Sequence, residues 1–121
     1  MIHFERHGPD LQSFWHVVAE RLTVATDTDM YSGRDIFGVL SAAGVKDIKI
    51  DYIVVDTIRV PRELFASMLE AWRDGFVDVI AKLTPIPRAE VTDCFANMID
   101  QVRDPKRYAA WMVPVASARV R

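Results

Sequence analysis

Three histidines, one cysteine and a few placed acids carry whatever chemistry this 121-residue chain can do by itself. His7 stands out by position, because Arg6-His7-Gly8-Pro9 interrupts the chain between a short strand-like segment and a helix. Functional groups gather at such strand ends, and an imidazole titrates near neutrality, so His7 is the candidate acid–base residue. A loop histidine hydrogen-bonded to backbone is the plainer reading of the same position. His16 lies one step off a helix stripe and reads as a solvated or boundary residue. Asp56 sits on the apolar face of a strand, where an ion pair with Arg6, Arg59 or Arg62 is the default and a pocket acid the alternative. Cys94 has no histidine near it in sequence and reads as an inert, buried or half-buried thiol.

Other chemistries fail on spacing. His3 and His7 are four apart but not on a convincing helix, and no cysteine pair exists to complete a zinc site. Asp27 and Asp29 begin like a calcium loop, but the twelfth position is Gly38 rather than a bidentate acid. The five glycines are scattered singly, so no phosphate or dinucleotide cradle is encoded. Among the aromatics, Trp15, Trp72, Trp111, Phe14, Phe37 and Tyr108 read as mostly core. The alternative is an aromatic-lined pocket among the helices, with Trp15, Tyr31, Trp72 and Trp111 as the candidate substrate-binding side chains.

The elements that must position these residues follow from periodicity. Val45–Val60 alternates every second residue, with Ile48, Ile50, Tyr52, Val54 and Ile58 on one side and Lys49, Asp51, Thr57 and Arg59 on the other. That pattern predicts a long strand, and the apolar run Tyr52–Val55 predicts that helices cover it on both faces. A second long strand is expected over Tyr108–Val120, with a bulge or one unpaired side at Pro114. Met1–Glu5 reads as a strand fragment.

Four helices fill the remainder. The first follows Gly8-Pro9-Asp10 to about Leu22 through Leu11, Phe14, Trp15 and Val18. Ser32 is the expected cap of the second, Asp35 its capping-box acid and Gly44 its stop, with Ile36, Phe37, Val39, Leu40 and Ala43 buried. Pro61 opens the third, whose stripe runs from Phe65 to Leu83 and whose Gly75 should face a close packing neighbour. Val91, Phe95, Met98, Ile99 and Val102 mark the inner face of the fourth, which Asp104-Pro105 ends.

Composition sets the limits. Half the residues are hydrophobic, 26% are charged and the formal net charge is −2, which gives no basic surface for nucleic acid. The N-terminus lacks a signal peptide's apolar segment, no run reaches membrane-span length and a single cysteine excludes an internal disulfide. The expectation is one cytoplasmic α/β domain over residues 1–121, with no nucleic-acid or membrane partner.

The order of these elements resembles the C-terminal half of class I S-adenosylmethionine-dependent methyltransferases, particularly the small-molecule enzymes of bacterial secondary metabolism. Arg34–Asp47 (RDIFGVLSAAGVKD) matches that fold's last helix and the turn after it, and the strand to Val60 follows. Trp111–Arg119 resembles the closing antiparallel strand, and residues 61–105 match a helical insertion that caps the substrate pocket. MIHFERHGPD would be the end of the fifth strand and its loop.

The resemblance implies a partial Rossmann-like half-fold, with the closing strand lying between the fifth strand and the long one. It also implies an absence. The glycine-rich loop and the acid that hold the cofactor in that family have no counterpart, so no cofactor-binding residue is assigned. The chain alone should not bind S-adenosylmethionine, and a protein partner would supply the cofactor half. The fifth strand's outer edge would then be open to another chain, as exposed edges generally are. A standalone homodimeric small-molecule-binding or structural domain is the alternative reading. An independent enzyme using His7 with Asp56 or Arg6 is a third.

Overall fold

A computed structural model describes residues 2–120. Its elements in order are β1 (Ile2–Phe4), α1 (Leu11–Thr26), α2 (Ser32–Ala42), β2 (Lys46–Asp56), α3 (Arg62–Leu83), α4 (Arg88–Arg103) and β3 (Ala109–Arg119). Met1, part of the expected first strand, lies outside the described residues. The strands form one open sheet in the order β1-β3-β2, and both outer strands run antiparallel to β3. The chain is thus α/β, with four helices and a small antiparallel sheet, and the helical pair α3–α4 is inserted between the two long strands.

Apolar periodicity and local capping account for the helices. The Asp10 carboxylate accepts from the Ser13 backbone N–H at 3.0 Å and from the Ser13 hydroxyl at 2.7 Å, which fixes the start of α1. That helix runs one turn beyond the expected Leu22. Thr23 and Thr26 turn their hydroxyls back onto the carbonyls of Ala19 and Leu22, and Asp27 ends the helix in the left-handed region at φ 53°. Pro61 and Pro87 stand just ahead of α3 and α4, where a missing N–H is harmless. Ser32 is the first residue of α2 rather than its cap, because Tyr31 occupies the capping position without a side-chain bond.

The core is centred among α1, α3 and α4 and reaches the sheet through Ala109 of β3, with Ile2, Phe4, Val55 and Trp111 packed against it. Phe14 and Val18 of α1, Phe65 and Leu69 of α3, and Phe95 and Met98 of α4 are all buried within it. The expected inner face of α4 is buried throughout: Val91, Phe95, Met98, Ile99 and Val102. In α3 the stripe is only partly covered. Val77 is buried against the core, whereas Phe76 and Val79 are 46% and 39% exposed. At about 100° per residue Phe76 and Val79 lie on the same face as Phe65 and Leu69, so their exposure reflects what packs beside that part of α3 rather than the spacing. Gly75 has open space around its missing Cβ rather than the expected neighbour.

Two further expectations are corrected at the sheet. The long strand stops at Asp56 instead of Val60, because the Asp56 carboxylate accepts from the backbone N–H groups of Ile58 and Arg59. Val60 N–H then donates to the Asp56 carbonyl at 3.1 Å, folding residues 57–60 into a turn. Nor do helices cover both faces of β2, since Tyr52 is 61% and Ile53 is 56% exposed. Helix α2 packs lightly over β2 and β3, close enough that a Cβ on Gly33 would lie 3.0 Å from Pro114 Cγ. None of its residues is buried, although Ile36, Phe37, Val39, Leu40 and Ala43 read as an inward stripe. An apolar stripe reports what a helix can bury, not what lies beside it. Pro114 pairs in register with Tyr52, and beyond Trp111 the β1 side of β3 has no strand. The register irregularity falls between Lys46 and Lys49 instead, where Asp47 is left-handed at φ 54°.

Candidate functional site

Trp15 of α1, Trp72 of α3 and Trp111 of β3 meet where the inserted helices join the sheet. The Trp15–Trp72 centroids are 6.3 Å apart at 82°, and Trp72–Trp111 are 5.1 Å apart at 85°. Trp15 also stands edge-on to Phe14 at 5.2 Å and to Phe95 at 5.9 Å. Edge-to-face contacts of this kind add about 0.5–1.5 kcal/mol each beyond area burial. Three of the four proposed pocket aromatics therefore share one seam. All three tryptophans are half-buried, and Trp15 Nε1–H is buried with no acceptor among the described residues. A buried indole N–H normally finds a partner, so this donor is an unused polar handle within an otherwise apolar seam.

Tyr31 is not part of it. Its hydroxyl lies 3.2 Å from His16 Nδ1, and Arg34 stacks over its ring at 4.7 Å. His16 also faces Glu20 across 3.4 Å, on an exposed face of α1.

His7 is exposed, three residues beyond β1. Its Nδ1 is 3.2 Å from an Arg107 guanidinium nitrogen. A guanidinium only donates, so Nδ1 accepts and the imidazole proton of the neutral ring sits on Nε2. The lone pair a general base would use is thereby engaged. The His7 carbonyl accepts from Gln101 Nε2 at 3.2 Å, and the same amide nitrogen donates to Asn97 Oδ1 at 2.7 Å. Gly8 belongs to this arrangement: φ is +82° and an added Cβ would lie 2.5 Å from Asn97 Nδ2.

Asp56 is the fully buried acid of the chain's described residues, and its partners are local or, for Tyr108, just ahead of β3. It accepts from Ile58 N–H at 3.0 Å, Arg59 N–H at 2.6 Å, the Arg59 guanidinium, and the Tyr108 hydroxyl at 3.0 Å. Burial pushes its pKa up, but the four donors outweigh burial and hold the carboxyl below the ordinary carboxylate range. Tyr108 responds in the opposite sense, its phenol raised first by donating to Asp56 and then by burial. Of the three arginines considered, Arg59 is the partner. Arg62 instead donates to the carbonyls of Val102, Asp104 and Arg107, closing the C-terminal end of α4. Neither His7 nor Arg6 contacts Asp56. Tyr108 is the member that sequence reasoning left in the core. Its signal was an apolar-face acid needing a donor from the segment that leads into the neighbouring strand.

Cys94 is buried, and burial raises its thiol pKa, as do Glu90 and Asp93 nearby. Among the described residues no group of three or more His, Cys, Asp or Glu side chains could hold a metal ion. No helix there is long and apolar enough to cross a membrane. Two open hollows lie away from the tryptophan seam. One of about 560 Å³ is lined by Asp47–Lys49 and Ser117–Arg119, and one of about 310 Å³ by Arg73, Asp74, Val77, Asp78, Arg88 and Thr92.

Gly8, the one glycine between a strand and the helix after it, has its side-chain space filled by Asn97. The acid at the end of β2, Asp56, is buried and saturated by its own donors. No protein-family model, curated protein or solved structure matches this chain.

Proposed function

We propose that this chain is the substrate-side portion of an S-adenosylmethionine-dependent small-molecule methyltransferase, acting with a polypeptide that carries the cofactor half. The observation that carries the reading is the strand order β1-β3-β2, with β3 antiparallel between strands that run the same way. That is the arrangement the resemblance requires of the fifth, closing and long strands. The helical pair α3–α4 enters between β2 and β3, where a substrate cap belongs. Trp15, Trp72 and Trp111 join that pair to the sheet, and they would line the substrate side. In this reading β1 offers its outer edge to the cofactor half, because β3 occupies only the other one. His7, just beyond β1, remains the candidate acid–base group and would act only after Arg107 turns away from Nδ1.

The test is reconstitution. The chain is mixed with the separately expressed cofactor half of a small-molecule methyltransferase, and transfer of a labelled methyl group to a panel of phenol, amine and carboxylate acceptors is followed. Association and transfer are expected from the mixture and from neither part alone. Failure to associate with any such half would overturn the reading.

A further inference from the structure

Among the described residues no strand pairs with the outer edge of β2, since the sheet ends there. We infer that this edge pairs with the same edge of a second copy, antiparallel about a two-fold axis at Ile50, joining two sheets into one of six strands.

A perpendicular two-fold relates residue i of one strand to the residue equally far beyond the axis on the other, so the axis position fixes every cross-strand pair. Centred on Ile50, Lys49 faces Asp51 twice and Ile50 faces itself. Opposite charges directly across a ladder are stabilising. Centred on Lys49 or Asp51, like charges meet. Centred on Tyr52, Lys49 faces Val55 and Asp51 faces Ile53; centred on Ile53, Asp51 faces Val55. An axis at Ile48 would need Asp47, whose backbone is left-handed and whose carboxylate is held by Arg119 at 3.1 Å. Within the regular stretch, only the Ile50 register matches charge to charge.

The residues concerned are free to pair this way. Lys49 and Asp51 are exposed, and neither side chain has a hydrogen-bond or ion-pair partner among the described residues. Tyr52 and Ile53, apolar and on opposite faces, are more than half exposed. The chain as a whole also exposes more surface than a compact monomer. A compact monomer of 13.8 kDa exposes about 6,600 Å² by the size scaling of folded proteins, whereas this chain exposes 8070 Å². The excess of about 1,400 Å² exceeds the roughly 800 Å² per partner that a standard stable interface buries. The inference does not depend on the methyltransferase reading, which uses the edge of β1.

Charge reversal tests it. Sedimentation velocity on the full chain should give twice the monomer mass at micromolar concentration. Lys49→Glu and Asp51→Lys should each weaken the dimer about 25-fold, a factor of about five at each of two symmetric contacts. The double variant Lys49→Glu/Asp51→Lys restores opposite charges and should dimerise like the parent. Circular dichroism should show all three folded, because both side chains are solvent-exposed. A monomeric parent chain overturns the inference. So does a dimer indifferent to the single reversals, or a double variant that stays as weak as the singles.

Discussion

Phe95→Ala probes where the core sits. Phe95 is fully buried on α4, and its ring meets Phe14 at 6.1 Å and Trp15 at 5.9 Å, both nearly perpendicular. Truncation removes the transfer free energy of the ring, leaves a cavity among three helices, and deletes two edge-to-face contacts. Buried phenylalanine truncations cost about 3–5 kcal/mol, and the two lost ring contacts place this one near the middle, about 4 kcal/mol. At about 4 °C per kcal/mol for a chain of this size, the melting temperature should fall by about 15 °C. Phe37→Ala is the control. Phe37 is 56% exposed on α2, and its loss should change stability by less than about 0.5 kcal/mol. Both are measured by thermal and urea unfolding in a Lys49→Glu background, at a protein concentration where sedimentation shows that variant to be monomeric. Equal midpoint shifts for the two variants would refute a core centred on α1, α3 and α4 that leaves α2 outside it.

Gly75→Ala should stabilise the chain by about 1 kcal/mol, since a helical interior glycine with open space around it gains only helix propensity; thermal melting checks it. Gly8→Ala should destabilise by at least about 1 kcal/mol, through its positive φ and the Asn97 clash, and Gly8→Ala/Asn97→Ala should recover part of that loss in the same assay. The pH dependence follows from Asp56. Its folded pKa lies below the ordinary value of 3.8, so its contribution is present above that value and is lost as pH falls through the folded pKa. Acid unfolding monitored by tryptophan fluorescence should therefore be steeper below pH 3.8 in the parent than in Asp56→Asn, which binds no proton there.

Much of this fold was legible in the sequence because each helix and strand has a strong period. Alternation marked β2, and three-and-four spacing marked α1, α3 and the whole inner face of α4. What periodicity could not give was the neighbour of each apolar face. Tyr52 and Ile53 have the composition of a strand covered on both sides and are solvent-exposed. Phe37 and Val39 have the spacing of an inward stripe, and no element covers them. The end of β2 was encoded more locally, in an aspartate able to accept from N–H groups two and three residues on. Of the site, Trp15, Trp72 and Trp111 were recognisable by type, but their meeting depends on long-range packing of α1, α3 and β3. Tyr31 has the same type and lies elsewhere, paired with His16. His7 was legible by its place after a strand, while Arg107, a hundred residues away, carried no local signal of reaching it.

The sharpest test of the central claim is calorimetric titration of S-adenosylmethionine in two arms: into the chain alone, and into the chain mixed with a cofactor half disabled for donor binding unless complemented. No heat of binding is expected in the first arm and saturable binding in the second. Saturable binding of the donor by the chain alone would contradict the claim.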